Sequence, residues 1–329
     1  MRTMHKISVV IATFNGEKFI EEQLESIRLQ SLPVDEVLIS DDCSTDNTVK
    51  IIKQYIDRHH LDKWFVKVNT VNLGWRRNFI NLLFQSSGDI IFYCDQDDIW
   101  DLDKIKIMMS ILMEKKEILC LATQFTSIDS KGNVIGQNFI KENLAPNIFQ
   151  ISIDSRYFFY VPLGCTLAFR KELLKYIDPL FWNCGADQII VRTAMFSKGM
   201  YILNLPLIKH RFHANNASNT ASDLKQYYGS SSLDKRIKDV KDDFSFLIHF
   251  QDILKLNRSQ LPKDLAVMAD LMQRRLKILK NKNVYQFLYL LVKLSSFSIK
   301  VIVIADLLYA LKLNKIVGKI CKRMHLNLK

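Results

Sequence analysis

Several features that make a function easy to recognise are missing from this chain. Its six cysteines among 329 residues, Cys43, Cys94, Cys120, Cys165, Cys184 and Cys321, are scattered and include no Cys-X-X-Cys pair, which argues against a disulfide framework. No Walker loop is present, and no Gly-X-Gly-X-X-Gly follows the first strand-like run, so P-loop ATPases and Rossmann dehydrogenases are poorly supported. There is no internal repeat and no low-complexity tract. The first apolar run, Ile7 to Ala12, begins almost at once, where a secretory leader would need its own segment. Reduced thiols and a cytoplasmic location are the expectation. Acidic residues are also scarce near the end: residues 271–329 hold 13 Lys and Arg against one acid, Asp306. That tail carries the whole net charge of +12, because the first 270 residues hold 33 basic and 33 acidic side chains. A neutral body with a basic appendage fits this split better than a generally basic nucleic-acid binder.

What is present reads as alternation. A hydrophobic content of 48% supports a real core. Ile7 to Ala12 predicts a buried strand, followed by a polar turn at Thr13 to Gly16 and a helix with Ile20, Leu24 and Ile27 on one face. Glu36 to Ser40 predicts a second strand ending at Asp41 and Asp42, with Thr45 as the N-cap of the next helix. Trp64 to Val68 gives a third strand, and a helix from about Arg76 to Gln85 leads to a fourth at Ile90 to Cys94. Four strand–helix alternations with polar residues at the strand ends predict an α/β fold with a parallel, doubly wound sheet. Farther on, a helix is expected from Leu102 to Glu114 and strands at Ile118 to Phe125 and Gly164 to Phe169. A helix should begin at Asp187, and extended segments should follow at Tyr201 to Asn204 and Leu207 to Phe212. Residues 137–160 lack clear periodicity and are expected to form a substrate-facing excursion.

The most informative stretch is Ile90 to Trp100. Its apolar run stops at Asp95-Gln-Asp-Asp98, three carboxylates within four positions with nothing basic among them. Side chains alternate along a strand, so Asp95 and Asp97 would leave its end on one side. A divalent cation would relieve their repulsion, and a magnesium-like ion is typically shared between carboxylates and substrate phosphates. A solvated acidic turn is the plainer reading of any one such cluster.

Taken together, Thr13-Phe-Asn15, Asp41-Asp-Cys-Ser-Thr-Asp46, Asn72-Leu-Gly74 with Asn78, and Cys94-Asp-Gln-Asp-Asp-Ile-Trp100 resemble the family-2 glycosyltransferases of the GT-A fold. The Asp-Gln-Asp-Asp-Ile-Trp form is most similar to bacterial rhamnosyltransferase-like members that build surface polysaccharides. The resemblance spans about residues 5–215. It implies a GT-A-type, mostly parallel sheet flanked by helices, and inverting sugar transfer from a dTDP- or UDP-sugar to a saccharide or lipid-linked acceptor. It also implies a divalent Mg2+ or Mn2+, with Asp97, Asp95 and His213 as ligands. Nucleotide-sugar contacts would come from Thr13, Asn15, Asp41, Asp42, Asn72, Arg77, Asp95, Gln96 and Arg211. Asp187 matches the place of the catalytic carboxylate, although Ala186 stands where the family usually has Glu or His. Asp154 and Asp178 are secondary positions for that base.

Two rivals belong to other classes: a nucleotide-sugar-binding protein without turnover, and a nucleic-acid binder acting through its tail. No aromatic-and-basic stripe supports the second. The catalytic domain is expected over residues 1–222, with a helical, basic region over 223–329. From Asn283 to Leu313 the tail is apolar but interrupted by Lys293, Lys300 and Asp306, which disfavours a spanning helix. A peripheral position on an anionic inner membrane face, reached through Arg274, Arg275, Lys277, Lys280 and Lys282, is the expectation.

Overall fold

Four short apolar runs form one half of the sheet. In the computed structural model, β1 (Ile7–Thr13), β2 (Glu36–Asp41), β3 (Trp64–Val68) and β4 (Ile90–Cys94) pair in parallel in the order β3-β2-β1-β4. Every residue of β4, and all but Ala12 of β1, is buried. Burial on both faces explains why these strands read as continuous apolar runs and not as alternation. The structure describes residues 5–138, 147–151, 162–178, 185–213, 232–253, 263–293 and 297–313.

The connecting helices are α1 (Ile20–Arg28), α2 (Thr48–Arg58) and α3 (Trp75–Gln85). Ile20, Leu24 and Ile27 of α1 face the core as expected. Thr45 does not cap α2. The Asp46 carboxylate accepts the N–H and hydroxyl of Thr48 instead, while the Thr45 N–H donates to Asn15 Oδ1 at 2.8 Å.

Beyond β4 come β5 (Ile99–Trp100), α4 (Lys104–Glu114), β6 (Cys120–Ile128), β7 (Val134–Asn138), β8 (Ile148–Gln150), β9 (Leu167–Arg170), α5 (Ala186–Phe196) and β10 (Met200–Arg211). The sheet runs β3-β2-β1-β4-β9-β6-β10-β5, with β7 on β6 and β8 on β10. β9 lies antiparallel to both β4 and β6, and β10 returns parallel to β6. The parallel reading therefore describes the first four strands, and the sheet is mixed beyond them.

Two local expectations change. Gly164 to Thr166 form a 3-10 turn, so the strand begins only at Leu167. The segments expected at 201–204 and 207–212 are one strand, β10, whose register slips on either side of Pro206. Proline has no N–H to donate to a ladder, so an irregularity is the natural accommodation. Asp154 lies outside the described residues, as does most of the excursion expected over 137–160.

The chain divides into two compact units, Met1–Ser152 with Tyr160–His213, and Ile153–Phe159 with Ala214–Lys329. The second is helical where described: α6 (Leu233–Ile253), α7 (Lys263–Asn281), α8 (Val284–Lys293) and α9 (Phe297–Ala310). Its interior includes Phe246, Leu271, Ile278, Leu290 and Val303, together with a buried Asp306 that pairs with Arg236 and Arg275. No helix among the described residues is long and apolar enough to cross a membrane.

Candidate active site

Three adjacent parallel strands deliver polar residues to one edge of the sheet. Thr13 ends β1 directly across from Asp41 at the end of β2, and Cys94 at the end of β4 lies across from Ile11. Asp95 to Asp98 therefore emerge beside Thr13. The short β5 then pairs with Ile208 and Lys209, which brings the last residues of β10 back to the acidic turn.

The first edge is closed inward. Asp41 is fully buried: its Oδ2 accepts the hydroxyls of Thr13 and Ser44 at 2.8 and 2.6 Å, and its Oδ1 accepts the Ser44 N–H at 2.8 Å. Asp42 is also buried and accepts from the Asn69 amide and from the N–H groups of Leu73 and Gly74, at 2.9, 2.8 and 2.8 Å. Asn72 ties the same loop, donating to the Asp42 carbonyl and accepting the Gly74 N–H, both at 3.0 Å. Gly74 has φ of +77°, a conformation that favours glycine and lets the chain turn into α3. Asn15 and Arg77 are exposed at this edge. The roles expected for Asp41 and Asp42 as direct ligand contacts meet carboxylates already occupied by the protein.

The acidic turn is laced to β10. Gln96 is clamped on the backbone of Phe14, accepting its N–H at 2.9 Å and donating to its carbonyl at 3.1 Å. Its amide is engaged by the loop after β1. Asp97 Oδ2 lies 2.7 Å from His213 Nε2. Asp98 is fully buried, and its Oδ1 meets His210 Nδ1 at 2.8 Å and accepts the Arg211 N–H at 3.0 Å. Burial alone would depress the His210 imidazolium, but Asp98, with Asp95 and Asp97 behind it, raises it to about 9. Burial would likewise raise Asp98, but the His210 charge and hydrogen bond outweigh it and hold the carboxyl low. Lys104 is buried below, donating to the Cys165 carbonyl at 2.7 Å with its ammonium 3.7 Å from the Trp100 ring centroid. The cations missing from the local sequence are thus supplied from a distance.

Arg211 corrects one expectation. It is 2% exposed and its Nε donates to the Asp97 carbonyl at 2.9 Å. Its terminal nitrogens go to the carbonyls of Asp129 and Ser130 and to the Glu22 carboxylate. This guanidinium braces the acidic turn, with its nitrogens engaged by the protein.

Asp187 lies in the first turn of α5, and its Oδ1 is buried without a hydrogen-bond partner among the described residues. Burial pushes the carboxyl up, against the N–H groups of Gln188 and Asp187 and the charges of Arg192 and Arg76. Two glycines make room for it. A Cβ on Gly185 would fall 2.3 Å from Asp187 Oδ1 and 2.8 Å from the Trp75 ring, and one on Gly164 would fall 3.1 Å from Asp187 Cβ and 2.7 Å from the Tyr93 ring. Asp187 also acts electrostatically on both Asp95 and Tyr93, so it belongs to the same acidic region.

The donors for a cation divide into two groups. Among the described residues, only Asp98, Cys165 and His210 bring three ligand atoms within 4.8 Å of one another. That trio does not suit a catalytic ion: it is buried, Asp98 and His210 already satisfy each other, and burial keeps the Cys165 thiol protonated. Asp95, Asp97 and His213 form the second group, which does not bring three ligand atoms within 4.8 Å of one another and in which Asp97 Oδ2 already meets His213 Nε2 at 2.7 Å. Burial, then repulsion from Asp98 and Asp97, pushes the Asp95 carboxyl up. Of these donors, the carboxylates are the type that magnesium- or manganese-like ions take.

These features define an α/β protein of GT-A type, a sheet with an acidic turn at the end of its fourth strand. The fold resembles that of a Staphylococcus aureus TarS fragment, residues 1–349, solved with UDP-GlcNAc; the TM-score is 0.58 at 20% identity, covering 93% of this chain and 81% of that one. A family model described as Glycosyl transferase family 2 matches residues 8–177, and the chain belongs to that family. A dTDP-rhamnosyl transferase from Shigella flexneri, RfbG, is 32% identical over 235 residues, 66% of this chain and 76% of that one. The poly(ribitol-phosphate) beta-N-acetylglucosaminyltransferase TarS is 31% identical over 180 residues, 54% of this chain but only 30% of its own length.

Proposed function

We propose that residues 1–222 catalyse an inverting transfer of a sugar from a nucleoside-diphosphate donor to a saccharide or lipid-linked acceptor, during assembly of a bacterial surface polysaccharide. The observation that carries this reading is Asp187, with a buried, unpartnered carboxylate oxygen beside the acidic turn. Burial destabilises its charged form, which makes it a stronger base, and the oxygen has no hydrogen-bond partner among the described residues to compete for a proton. A single base on the acceptor side implies one displacement, and one displacement inverts the anomeric centre.

The other residues prepare the donor. Asn15, Asn72 and Arg77 lie at the nucleotide edge, while Thr13, Asp41 and Asp42 shape it from beneath through their internal hydrogen bonds. His213 orients Asp97, Gln96 fixes the loop after β1, and Arg211 holds the backbone of the turn. Asp97, Asp95 and His213 would hold Mg2+ or Mn2+, which when bound stabilises the charge of the departing diphosphate. Rhamnose on dTDP is the favoured donor, because RfbG is named for it and matches over most of its length. The UDP-GlcNAc held by TarS makes UDP-sugars the necessary comparison.

The test is donor hydrolysis and transfer across a dTDP- and UDP-sugar panel, with native chain and Asp187→Asn. The variant should retain donor affinity while kcat falls by roughly 10²–10⁴-fold. Its acid limb in the native enzyme should lie above the ordinary aspartate value, since the base must be ionised. Transfer at the native rate by Asp187→Asn would move the base elsewhere.

A further inference from the structure

The helix α8 turns its apolar side outward. Only Leu290 of its ten residues is buried. Val284, Tyr285, Leu288 and Val292 are 50, 73, 55 and 87% exposed. At 100° per residue these four fall within an arc of about 100°, flanked by Leu291 and Tyr289, and no charged residue interrupts it. A surface helix normally points such a stripe at its own core. A contiguous exposed apolar face marks a surface that something else covers.

The charges around it say what kind of partner this is. Lys277, Lys280 and Lys282 are exposed where α7 ends and α8 begins, and Lys293 is exposed at the far end of α8. From residue 277 to 293 there is no Asp or Glu. A second copy of the chain would set these lysines against one another. We infer that the α8 face is a docking surface for an anionic lipid bilayer, with the apolar arc entering the headgroup layer and the lysines meeting its charge.

Only part of the basic cluster legible in the sequence takes part. Arg275 is 1% exposed and bound to the Asp306 carboxylate, with Nε 2.6 Å from Oδ2. Arg274 donates to Asp270 at 2.7 Å and to Gln286, and its guanidinium stacks on Tyr289 at 3.9 Å. Arg275 is thus internal to the helical unit, and Arg274, partly exposed, is engaged by its neighbours on the unit's surface. The inference stands independently of the donor and base assigned above, because no residue of the acidic turn enters it.

Co-sedimentation of the full chain with phosphatidylcholine vesicles, with and without phosphatidylglycerol, tests it. The native chain should favour the anionic vesicles by about a few hundredfold, as three to four lysines near the surface supply at about 1 kcal/mol each, and high salt should remove most of that preference. The triple change Lys277→Gln, Lys280→Gln, Lys282→Gln should abolish most of the preference. Leu288→Gln with Val292→Gln should weaken binding to both vesicles by about tenfold or more. All five positions are exposed, and circular dichroism and thermal melting check that the variants remain folded. Native-like binding by either variant, or no binding by the native chain, would overturn the inference. So would a native dimer that Leu288→Gln with Val292→Gln dissociates in sedimentation velocity, since that assigns the face to a second copy.

Discussion

Asp97 and Asp98 are sequence neighbours that face opposite environments. Asp98 is fully buried against His210 and the backbone of Arg211, a pair that neutralises itself and locks the turn onto β10. Asp97 meets His213 at 2.7 Å on the side where Asp95 remains crowded by like charge. We propose Asp97 as the carboxylate for a cation, and Asp98 anchors the turn that carries it. Chelator should abolish transfer, and Asp97→Ala should raise the Mn2+ concentration needed for nucleoside-diphosphate binding by roughly 100-fold or more. Calorimetric titration of Mn2+ with the diphosphate would measure this, and full activity in chelator would rule the ion out. The acidic turn was legible in the sequence because it stands at the end of an apolar run, where a polar residue needs a reason, whereas Asp187 was picked out only by the family resemblance. Arg211 was legible as a charge but not as a brace, because its partners Glu22, Asp97 and Asp129 lie far off in the chain. The His210–Asp98 pair spans 112 positions, beyond the reach of any local pattern.

At the scale of elements, Glu36 shows how a strand start is fixed. It opens β2, 8% exposed, and accepts the Ser8 hydroxyl from β1 and the Ser87 N–H and hydroxyl from the turn before β4, the last two at 2.6 Å. Burial would raise its carboxyl, but the hydrogen bonds from Ser8 and Ser87 and the charge of Lys6 outweigh it and lower it to about 2. A folded-state value below the unfolded one stabilises at neutral pH, and the benefit is lost as pH falls through the interval between them. Native stability should drop from about pH 4.5 toward about pH 2, and Glu36→Gln should be less stable at neutrality by about 2–3 kcal/mol. Denaturant midpoints for both chains across that range would check it. A difference independent of pH would show that the carboxylate is not the cause. Strands β1 and β4 were legible because burial on both faces leaves unbroken apolar runs. The 3-10 turn at Gly164 was not, since what shapes it is contact with Tyr93 and Asp187 from other elements. The start of α2 lies beyond Thr45, with Asn47 at the N-cap position and Asp46 accepting from Thr48, while Asn15, from the loop after β1, captures the Thr45 N–H.

At the scale of the whole molecule, positive charge is concentrated in the last residues of the sequence, and the only acid beyond residue 270 lies inside the helical unit. As a sequence feature, Asp306 is an interruption in an apolar helix. In the structure it is fully buried, its carboxylate shared by Arg275 from α7 and Arg236 from α6, with the Arg236 guanidinium 4.6 Å from the Tyr309 ring centroid. One anion thus joins three helices, α6, α7 and α9. A buried charge cluster of this kind is costly to desolvate, and removing one member is worse than never having built it, because the remaining charges stay buried. Asp306→Ala should destabilise the helical unit by about 3–5 kcal/mol. Replacing all three members with apolar residues, Arg236→Met, Arg275→Met and Asp306→Leu, should recover much of that loss. Hydrogen exchange over residues 232–313 would read both variants directly: fast exchange in Asp306→Ala, and protection restored in the triple variant. Equal protection in Asp306→Ala and the native chain would mean that apolar packing alone holds these helices, with the buried charges incidental to it.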